Sequence, residues 1–538
     1  MPPISAPRPG PRPRPRAASL PHGPRPAARF AALAAAAALA LAATGCGGSS
    51  SGGSGGKGET LNLIAMSPPA SLDPAKANVG SDNWFVNLAY DSLIHREASG
   101  KLVPGLAVMW GYVGNGNTDF ELTLREGAVF ADGTPVTAQA VAASLDYTRK
   151  NGLNVSWLSA IESVTATGPL TIRIHCASAN PILPDLFTQV TMAGSVVSPA
   201  GLADPAKMGT QSYGSGPYVL DGKATVTGDH YTYTPNPKYW DPSKIKWKKV
   251  VVKVVPNPQS ALQAVKTGQA DALAIGPNQV DAAKSGGLEI TKTPAVLMGV
   301  NLADRAGTVA KPLSDVRVRQ ALNHAIDRDA INKALFQGYA QSTTQVSLPG
   351  LDGFSAETDK RYPYDPAKAK KLLADAGYPN GFSFPMETQN LLGIDLVTQA
   401  VVEQWKQIGV RAEVTTDTTV GQWLGNATSK KFPVLGFGYG GIPTYMLSLD
   451  WMLPHATAFN PYASEDPELT RRLAAAAAVP AEQQPALYQE AMRYAVDQAW
   501  FVATSRIDGI YAFNPKKLSG FTTGTGYLPD VAWDTTPA

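Results

Sequence analysis

Apolar and polar residues alternate along several short segments of this chain and recur at helical spacing along others. Residues 59–66, ETLNLIAM, alternate as a half-buried strand does, and residues 247–256, WKKVVVKVVP, form the continuous apolar run of a buried strand. Residues 164–176, VTATGPLTIRIHC, predict a hairpin that turns at Gly168 and Pro169. Because strands and helices alternate without a regular βαβ repeat, the pattern predicts a mixed α/β fold.

The predicted helices carry start and stop signals in their flanking residues. Thr137 is predicted to be the N-cap of one helix. Asp365 followed by Pro366 predicts the start of another helix, which ends before Gly377. Residues 81–93 are also predicted to be helical.

The densest group of charges lies in residues 313–336, LSDVRVRQALNHAIDRDAINKALF. Apolar residues from Val318 to Ala325 fall at i, i+3, i+4 and i+7, which predicts one apolar helix face. Ser314 is predicted to cap this helix, and Asp315 is predicted to pair with Arg319 on its surface.

A second short helix is predicted to follow in the same run, with Asp327 as its N-cap. Arg317, Arg328 and Asp329 are expected in solvent or in pairs between the two helices. His324 has no partner in the sequence pattern that would make it a metal ligand or a base. The charged run is therefore predicted to be structural scaffold.

The first 45 residues have the organisation of a secretory signal peptide. A segment rich in Pro and Arg precedes an apolar stretch, FAALAAAAALALAA at 30–43, which is too short to span a membrane. The following ATGC resembles the lipobox of bacterial lipoproteins, although Ala43 stands where Leu is commoner. Cys46 is therefore expected to be lipidated and to anchor the protein, with 46–58 as a Gly/Ser tether. The alternative is ordinary cleavage near Ala43, with Cys46 incidental.

Composition changes this picture in two respects. The formal net charge of the chain is +3, but residues 1–45 hold six arginines and no acidic residue or lysine, so the remainder carries −3. No basic surface for nucleic acid is therefore predicted. The remaining cysteine, Cys176, has no partner once Cys46 is lipidated, and it is expected to be a small buried apolar residue.

Seven phrases in chain order are similar to one family, the large solute-binding proteins of the peptide/nickel class of ABC importers. The similarity spans roughly residues 60–530. The phrases are LVPGLAVMWGYVGNGNTDFELTLREGAVFADGTPVTAQAVAASLDY (102–147), GSGPYVL (214–220), NPKYW (236–240), ALQAVKTGQADAL (261–273), DVRVRQALNHAIDRDAI (315–331), YDPAKAKKLLADAGYPNGF (364–382) and VVEQWKQIGVRAEV (401–414).

The resemblance implies a periplasmic-binding-protein-like clamshell of two α/β lobes, with an extra subdomain on the first lobe. The first lobe is expected to combine residues 59–98, 214–296 and 500–538, with the subdomain at 99–213. The second lobe is expected at 297–499. Two strands that cross near residues 296 and 500 would form the hinge, with Trp500 beside it.

The resemblance also points to a ligand segment, in which this chain departs from the family. Peptide-binding members hold the ligand's α-amino group with an aspartate, and Ile442 occupies that position in GYGGIPTYMLSLDWM, residues 438–452. Asp450 could replace it only if the loop were re-routed. The expected ligand contacts are otherwise aromatic, because aromatic faces stack on flat or apolar ligand groups. The candidates are Tyr439, Tyr445, Trp451, Trp423 and Trp84.

The sequence contains motif matches to enzymes, but they lack the structural context that catalysis needs. GGSGG at 52–56 matches a serine-nucleophile pattern but lies in the tether, and SGGK, SDN and KTG at 54–57, 81–83 and 266–268 lack the required context. The six histidines show no metal-ligand spacing, so neither a catalytic residue, a metal nor a cofactor is expected.

The sequence therefore predicts an extracytoplasmic, lipid-anchored protein that captures an oligopeptide or related small solute and delivers it to an ABC permease. It is expected to act as a monomer. The alternative is a receptor on the same fold that senses a ligand for signalling. A secreted serine hydrolase is the more distant alternative.

Overall fold

The computed structural model describes residues 58–153, 155–524 and 528–538. The predicted signal peptide, Cys46 and the tether up to residue 57 lie outside the described residues. The strands are β1 Gly58–Ala65, β2 Ile94–Arg96, β3 Leu102–Pro104, β4 Ala107–Tyr112, β5 Asp119–Leu124, β6 Ile161–Ala166, β7 Thr171–Cys176, β8 Tyr218–Leu220, β9 His230–Pro235, β10 Trp247–Val254, β11 Ala272–Ile275, β12 Glu289–Leu302, β13 Ala340–Ser342, β14 Ser383–Gln389, β15 Arg411–Asp417, β16 Val434–Gly440, β17 Phe501–Phe513, β18 Leu518–Ser519 and β19 Thr536–Pro537.

The helices alternate with these strands along the whole chain, which confirms the mixed α/β prediction. Within the described residues, no helix is both long and apolar enough to span a bilayer. The helices are α1 Asn83–Val86, α2 Ala138–Asn151, α3 Val155–Leu158, α4 Leu183–Leu186, α5 Pro199–Ala203, α6 Pro205–Met208, α7 Pro258–Lys266, α8 Val280–Ser285, α9 Val316–His324, α10 Arg328–Phe336, α11 Pro366–Asp375, α12 Ile394–Lys406, α13 Val420–Thr428, α14 Thr444–Trp451, α15 Pro467–Ala477 and α16 Gln484–Asp497.

One sheet runs through most of the described chain. Its strand order is β15-β14-β16-β12-β17-β11-β1-β10-β9-β8, and β13 pairs with β17 beside this path. The strand predicted at 59–66 and the buried strand predicted at 247–256 are neighbours here, since β1 and β10 pair in parallel. The sheet therefore joins strands from both ends of the chain.

The centre of this sheet is a long antiparallel pair formed by β12 and β17. The pairing runs from Glu289 opposite Phe513 to Asn301 opposite Phe501. The register shifts twice, between Pro294 and Val296 and again between Met298 and Gly299. These irregularities lie close to residue 296, where the sequence predicts one of the two hinge crossings.

A second sheet, of order β4-β5-β7-β6, is built from residues 107–176. It includes the predicted hairpin, with Ala166 opposite Ile172 across the turn. Cys176 ends β7 and is buried. Two separate apolar clusters take residues from opposite ends of the β12–β17 pair: one gathers residues 61–90, 192–272 and 511–533, and another gathers residues 300–502. A further cluster joins residues 93–196 to residues 297–503.

The capping predictions differ in their outcome. Thr137 is the N-cap of α2 and accepts the Ala140 N–H, and Asp365 is the N-cap of α11, so both predictions are confirmed. The helix predicted over 81–93 is wrong, because helical structure there is limited to the four residues of α1. The chain turns just before this segment, at Gly80, where φ is +95°, and after α1 it continues as a turn that leads to an isolated bridge between Ser92 and Ser195.

The charged run folds as two helices, α9 and α10, and Asp327 caps the second as predicted. The predicted cap of the first helix is wrong, since Asp315 rather than Ser314 accepts the Arg317 N–H, at 2.8 Å. The predicted Asp315–Arg319 pair is also wrong: Asp315 contacts the Arg317 guanidinium at 2.6 Å. Arg319 is buried and donates to the carbonyl oxygens of Leu313 and Gln498.

Arg328 corrects the prediction most strongly, because its side chain is only 6% exposed. Its guanidinium donates to the backbone carbonyls of Ala503 and Thr343, at 2.7 and 3.0 Å. Nearby, buried His324 donates through Nδ1 to the carbonyl of Pro363 at 2.9 Å, and burial lowers the His324 pKa. The charges of this run therefore hold neighbouring backbone in place.

Candidate functional site

A cavity of about 680 Å³ opens beside the central strands. Its walls come from residues 78–87, 189–190, 293–296, 391, 438–442, 509–511 and 528–531, so both ends of the chain and its middle contribute. Side chains such as Val79, Leu391 and Ile442 make the wall predominantly apolar. A volume of this size suits a small organic ligand or a short peptide.

Trp84 lines the cavity on the side of the first strands. It lies in the short helix α1, and its indole N–H donates to the carbonyl of Pro529 at 2.9 Å. Its ring centre lies 6.1 Å from those of Tyr511 and Phe521. These contacts fix the indole, so Trp84 offers a preformed aromatic surface rather than a mobile one.

Tyr439 lines the opposite side, near the end of β16. Its ring meets Trp451 and Phe459 edge to face, with both centroid distances at 5.0 Å. Its hydroxyl donates to the carboxylate of Asp450. Burial, together with the negative charge of Asp450, holds the pKa of Tyr439 well above its usual value, so the phenol stays protonated.

Asp450 lies behind this wall and does not line the cavity among the described residues. Besides Tyr439, its carboxylate accepts hydrogen bonds from the Ser156 hydroxyl at 2.8 Å and the Trp157 indole at 3.0 Å. Burial raises the pKa of Asp450, and these three donors partly offset that effect. The carboxylate is thus engaged by protein groups rather than directed at a ligand.

The other aromatic candidates support the wall from behind. Trp451 is buried and stacks on Phe459 with centroids 4.6 Å apart, and Trp423 packs on the same Phe459 at 5.3 Å. The hydroxyl of buried Tyr445 donates to the carbonyl of Ala179 at 2.7 Å. Of the six predicted ligand contacts, the structure therefore brings Trp84 and Tyr439 to the cavity and leaves four outside its wall.

Glycines shape the wall on either side of Tyr439. A Cβ at Gly438 would lie 2.8 Å from the Ile394 side chain, and one at Gly441 would lie 2.2 Å from Leu348. Larger residues at these positions would push the strand end away from its support. Ile442, which follows, lines the cavity directly.

Asp530 is the one carboxylate among the described lining residues. Its Oδ1 accepts the backbone N–H groups of Ala532 and Trp533 at 2.9 and 3.1 Å, and His95 Nε2 lies 3.0 Å from Oδ2. Burial alone would raise the pKa of Asp530, but His95 and the two N–H groups outweigh burial and lower it. Asp530 is therefore held by two backbone N–H groups at Oδ1 and lies beside His95, while Oδ2 is buried and makes no hydrogen bond to the described residues.

Several wall residues carry no sequence signal. Gln189, Leu391 and Tyr511 belong to segments far apart in the chain, and none lies in a phrase that marks a binding site. Tyr511 lies on β17, and Leu391 follows β14, which pairs with β16. The carbonyl of Gln189 accepts hydrogen bonds from Asn83 and Asn87 on the opposite segment. Only the tertiary fold could have identified them.

The sequence profile described as "Bacterial extracellular solute-binding proteins, family 5 Middle" matches residues 101–461. The chain belongs to this family. It is accordingly a solute-binding protein of the ABC-importer type, and the predicted resemblance is confirmed. Membership of this family makes the chain a solute-binding protein rather than a serine hydrolase.

Individual relatives and solved structures agree with this membership. The glutathione-binding protein GsiB of Escherichia coli strain K12 is 30% identical over 358 residues, which cover 64% of this chain and 67% of GsiB. The periplasmic binding protein DppA of Helicobacter pylori, in complex with the peptide STSA, superimposes with a TM-score of 0.74 at 21% identity and covers 89% of this chain and 98% of DppA.

A further solved structure has the same fold. The binding protein AgaA from A. tumefaciens R10, in complex with agropinic acid, superimposes with a TM-score of 0.76 at 22% identity, covering 89% of this chain and 99% of AgaA. The family match and these superpositions confirm the predicted two-lobed fold.

Proposed function

We propose that this family-5 protein is a lipid-anchored receptor that captures a small solute or peptide in the 680 Å³ cavity and presents it to an ABC permease. The observation that carries the proposal is the composition of the wall. Trp84 and Tyr511 come from elements at the two ends of the chain, and Tyr439 and Ile442 come from its second half. A ligand that touches both groups would hold them together.

The lobe boundaries follow from the same proposal. We place lobe 1 at 59–98, 214–296 and 500–538, its subdomain at 99–213, and lobe 2 at 297–499. The two separate apolar clusters at opposite ends of the β12–β17 pair support the division of lobe 1 from lobe 2, and a further cluster packs the subdomain against lobe 2. The register shifts near residue 296 support a hinge in β12. Closure about such a hinge would remove water from the ligand and strengthen its polar contacts.

Asp450 connects the cavity wall to the proposed subdomain. Its carboxylate joins Tyr439, in the proposed lobe 2, to Ser156 and Trp157 in the proposed subdomain. A second link joins the same two proposed parts of the molecule, since Asn117 of the subdomain donates to the carbonyl oxygens of residues 477 and 479 of lobe 2. The orientation of the Tyr439 ring would therefore depend on how the subdomain and lobe 2 meet.

Native mass spectrometry of the mature protein, purified without refolding, tests capture. We expect a co-purified small molecule at one per chain, and we expect that molecule to raise the Tm of the stripped protein. The Trp84→Ala variant should lose the adduct, while Trp423→Ala, which removes an indole behind the wall, should retain it. Protein without an adduct and without a Tm shift from any solute tested would contradict the proposal.

The anchor is tested separately in cells. If Cys46 carries the lipid, Cys46→Ser should move the protein from the membrane fraction to the soluble extracytoplasmic fraction. The matched control is Cys176→Ser, which should leave the protein with the membrane because Cys176 is buried within the folded part. Equal membrane association of both variants would show that Cys46 is not the anchor.

A further inference from the structure

Among the described residues of the cavity wall, the one charged side chain is buried and already contacts protein groups. The described lining residues include no lysine, arginine or histidine, and their one carboxylate is Asp530. Asp530 already accepts two backbone N–H groups and contacts His95, as described above. The polar side chains that remain, such as Asn78, Ser81 and Thr293, are uncharged.

Charged residues next to the wall are also engaged. Asp82 is buried and accepts the backbone N–H groups of Ala70 and Asn78 at 3.0 and 2.8 Å. Lys292 and Asp508 pair with each other at 2.9 Å. These groups cannot turn towards a ligand without leaving a partner unpaired.

Position 442 determines whether the wall beside Tyr439 offers a charge to a ligand. Ile442 lines the cavity where a carboxylate could have paired with a ligand ammonium, and the nearby Asp450 accepts from Ser156, Trp157 and Tyr439 instead. Burying an ammonium or a carboxylate without a partner is strongly unfavourable. An apolar or hydrogen-bonding group suffers no such penalty against this wall.

Provided that the cavity captures solute as proposed above, we propose that it selects uncharged ligands that present a flat or branched apolar group to Trp84 and Tyr439. Zwitterionic peptides bind less well because their termini find no partner. Glutathione, which carries one ammonium and two carboxylates, is disfavoured further because it brings three charged groups to a wall that pairs with none of them. The specificity of this chain thereby differs from what the name of its relative GsiB suggests.

A thermal-shift screen with charge-matched pairs tests this selection on the mature wild-type protein. One pair is N-acetyl-leucyl-tyrosine amide, which is neutral, and leucyl-tyrosine, its zwitterionic parent. Glutathione, which is charged, and N-acetylglutathione diethyl ester, which is neutral, form another. We expect the neutral member of each pair to raise the Tm more and, by calorimetry, to bind at least tenfold more tightly.

The outcomes separate the two proposals. Equal or stronger binding of the charged members would overturn the charge selection while leaving solute capture intact. If no member of any pair shifts the Tm, the selection is overturned for these ligands, and the native mass spectrum then decides whether capture also fails. A co-purified molecule that is charged at neutral pH would likewise overturn the selection.

Two variants at position 442 test the cause. Ile442→Asp should raise the affinity for leucyl-tyrosine at least tenfold and leave the affinity for the N-acetyl amide unchanged or lower. Ile442→Asn, which loses the same apolar contacts without gaining charge, should show no gain for either ligand. An unchanged ratio of affinities in Ile442→Asp would show that charge at this position does not set the selection. The wild-type screen remains decisive if Ile442→Asp folds poorly.

Discussion

Residues 313–336 and residues 438–451 use their side chains in opposite ways. The first segment is rich in charge, yet Arg319 and Arg328 are buried and bind backbone carbonyls. The second segment is almost free of charge, and its Tyr439 and Ile442 face the cavity. Its one carboxylate, Asp450, lies behind the wall with protein donors around it.

The difference shows that charge density is a poor guide to function in this fold. A buried guanidinium with five N–H donors can satisfy several carbonyl groups at a junction between elements, which is a structural role. A binding wall that must accept a solute from water instead benefits from uncharged, preformed surface. The following predictions test each side of this contrast.

The largest effect is expected from removing Arg328. In Arg328→Met the carbonyl groups of Thr343 and Ala503 lose their donor, and each unpaired buried acceptor costs about 1–3 kcal/mol. We expect the free energy of unfolding to fall by roughly 3–5 kcal/mol in urea titrations, since further acceptors are also lost. The exposed Arg317→Met, which breaks a surface pair with Asp315 and a hydrogen bond to the Asp375 carbonyl, should cost far less because both contacts lie in solvent. Similar losses in both variants would contradict the structural role of the charged run.

A smaller effect, on binding rather than folding, is expected from Trp84. In Trp84→Ala the wall loses its indole, so the Kd of a bound apolar ligand should rise roughly thirtyfold, or about 2 kcal/mol. Trp423→Ala should lower the Tm because Trp423 is buried on Phe459, but it should leave the Kd within about twofold, within the scatter expected for a residue that contributes little. Calorimetry on folded protein separates the two. Equal losses of affinity would show that the wall has been misassigned.

An effect that is small near pH 5 and grows with pH is expected at Glu387, a buried carboxyl that keeps its proton instead of pairing with a cation. Burial, with Asp417 nearby, raises its pKa from 4.5 to about 9. The folded state therefore keeps a proton that the unfolded chain has lost, and stability falls as pH rises between those values. Glu387→Gln should gain in Tm over the wild type from pH 5 to pH 9. The exposed Glu413→Gln should show no such trend, and a flat difference for Glu387→Gln would contradict the assignment.

Local signals predicted much of the scaffold. Thr137, Asp327 and Asp365 cap helices because a short side-chain oxygen reaches an N–H two or three residues away, which sequence alone reveals. The burial of Arg328 could not be predicted in this way, since its acceptor Ala503 lies 175 residues further along the chain. The helix pattern assigns every arginine to the surface by default.

The cavity wall could likewise be predicted only in part from the sequence. The sequence proposes Trp84 and Tyr439 as aromatic surfaces for a ligand, and the structure brings both to the wall. Trp451 and Tyr445 share the segment of Tyr439, but α14 directs them into the core. Helical periodicity could not separate them, because all eight residues of α14 are buried.

The most direct test of the central claim is a crystal structure of the mature protein with its co-purified solute. We predict an uncharged molecule that contacts Trp84 and Tyr439, with Asp450 still bound to Ser156 and Trp157. A ligand seated elsewhere, or one whose ammonium or carboxylate is paired with a side chain of the cavity wall, would contradict the account.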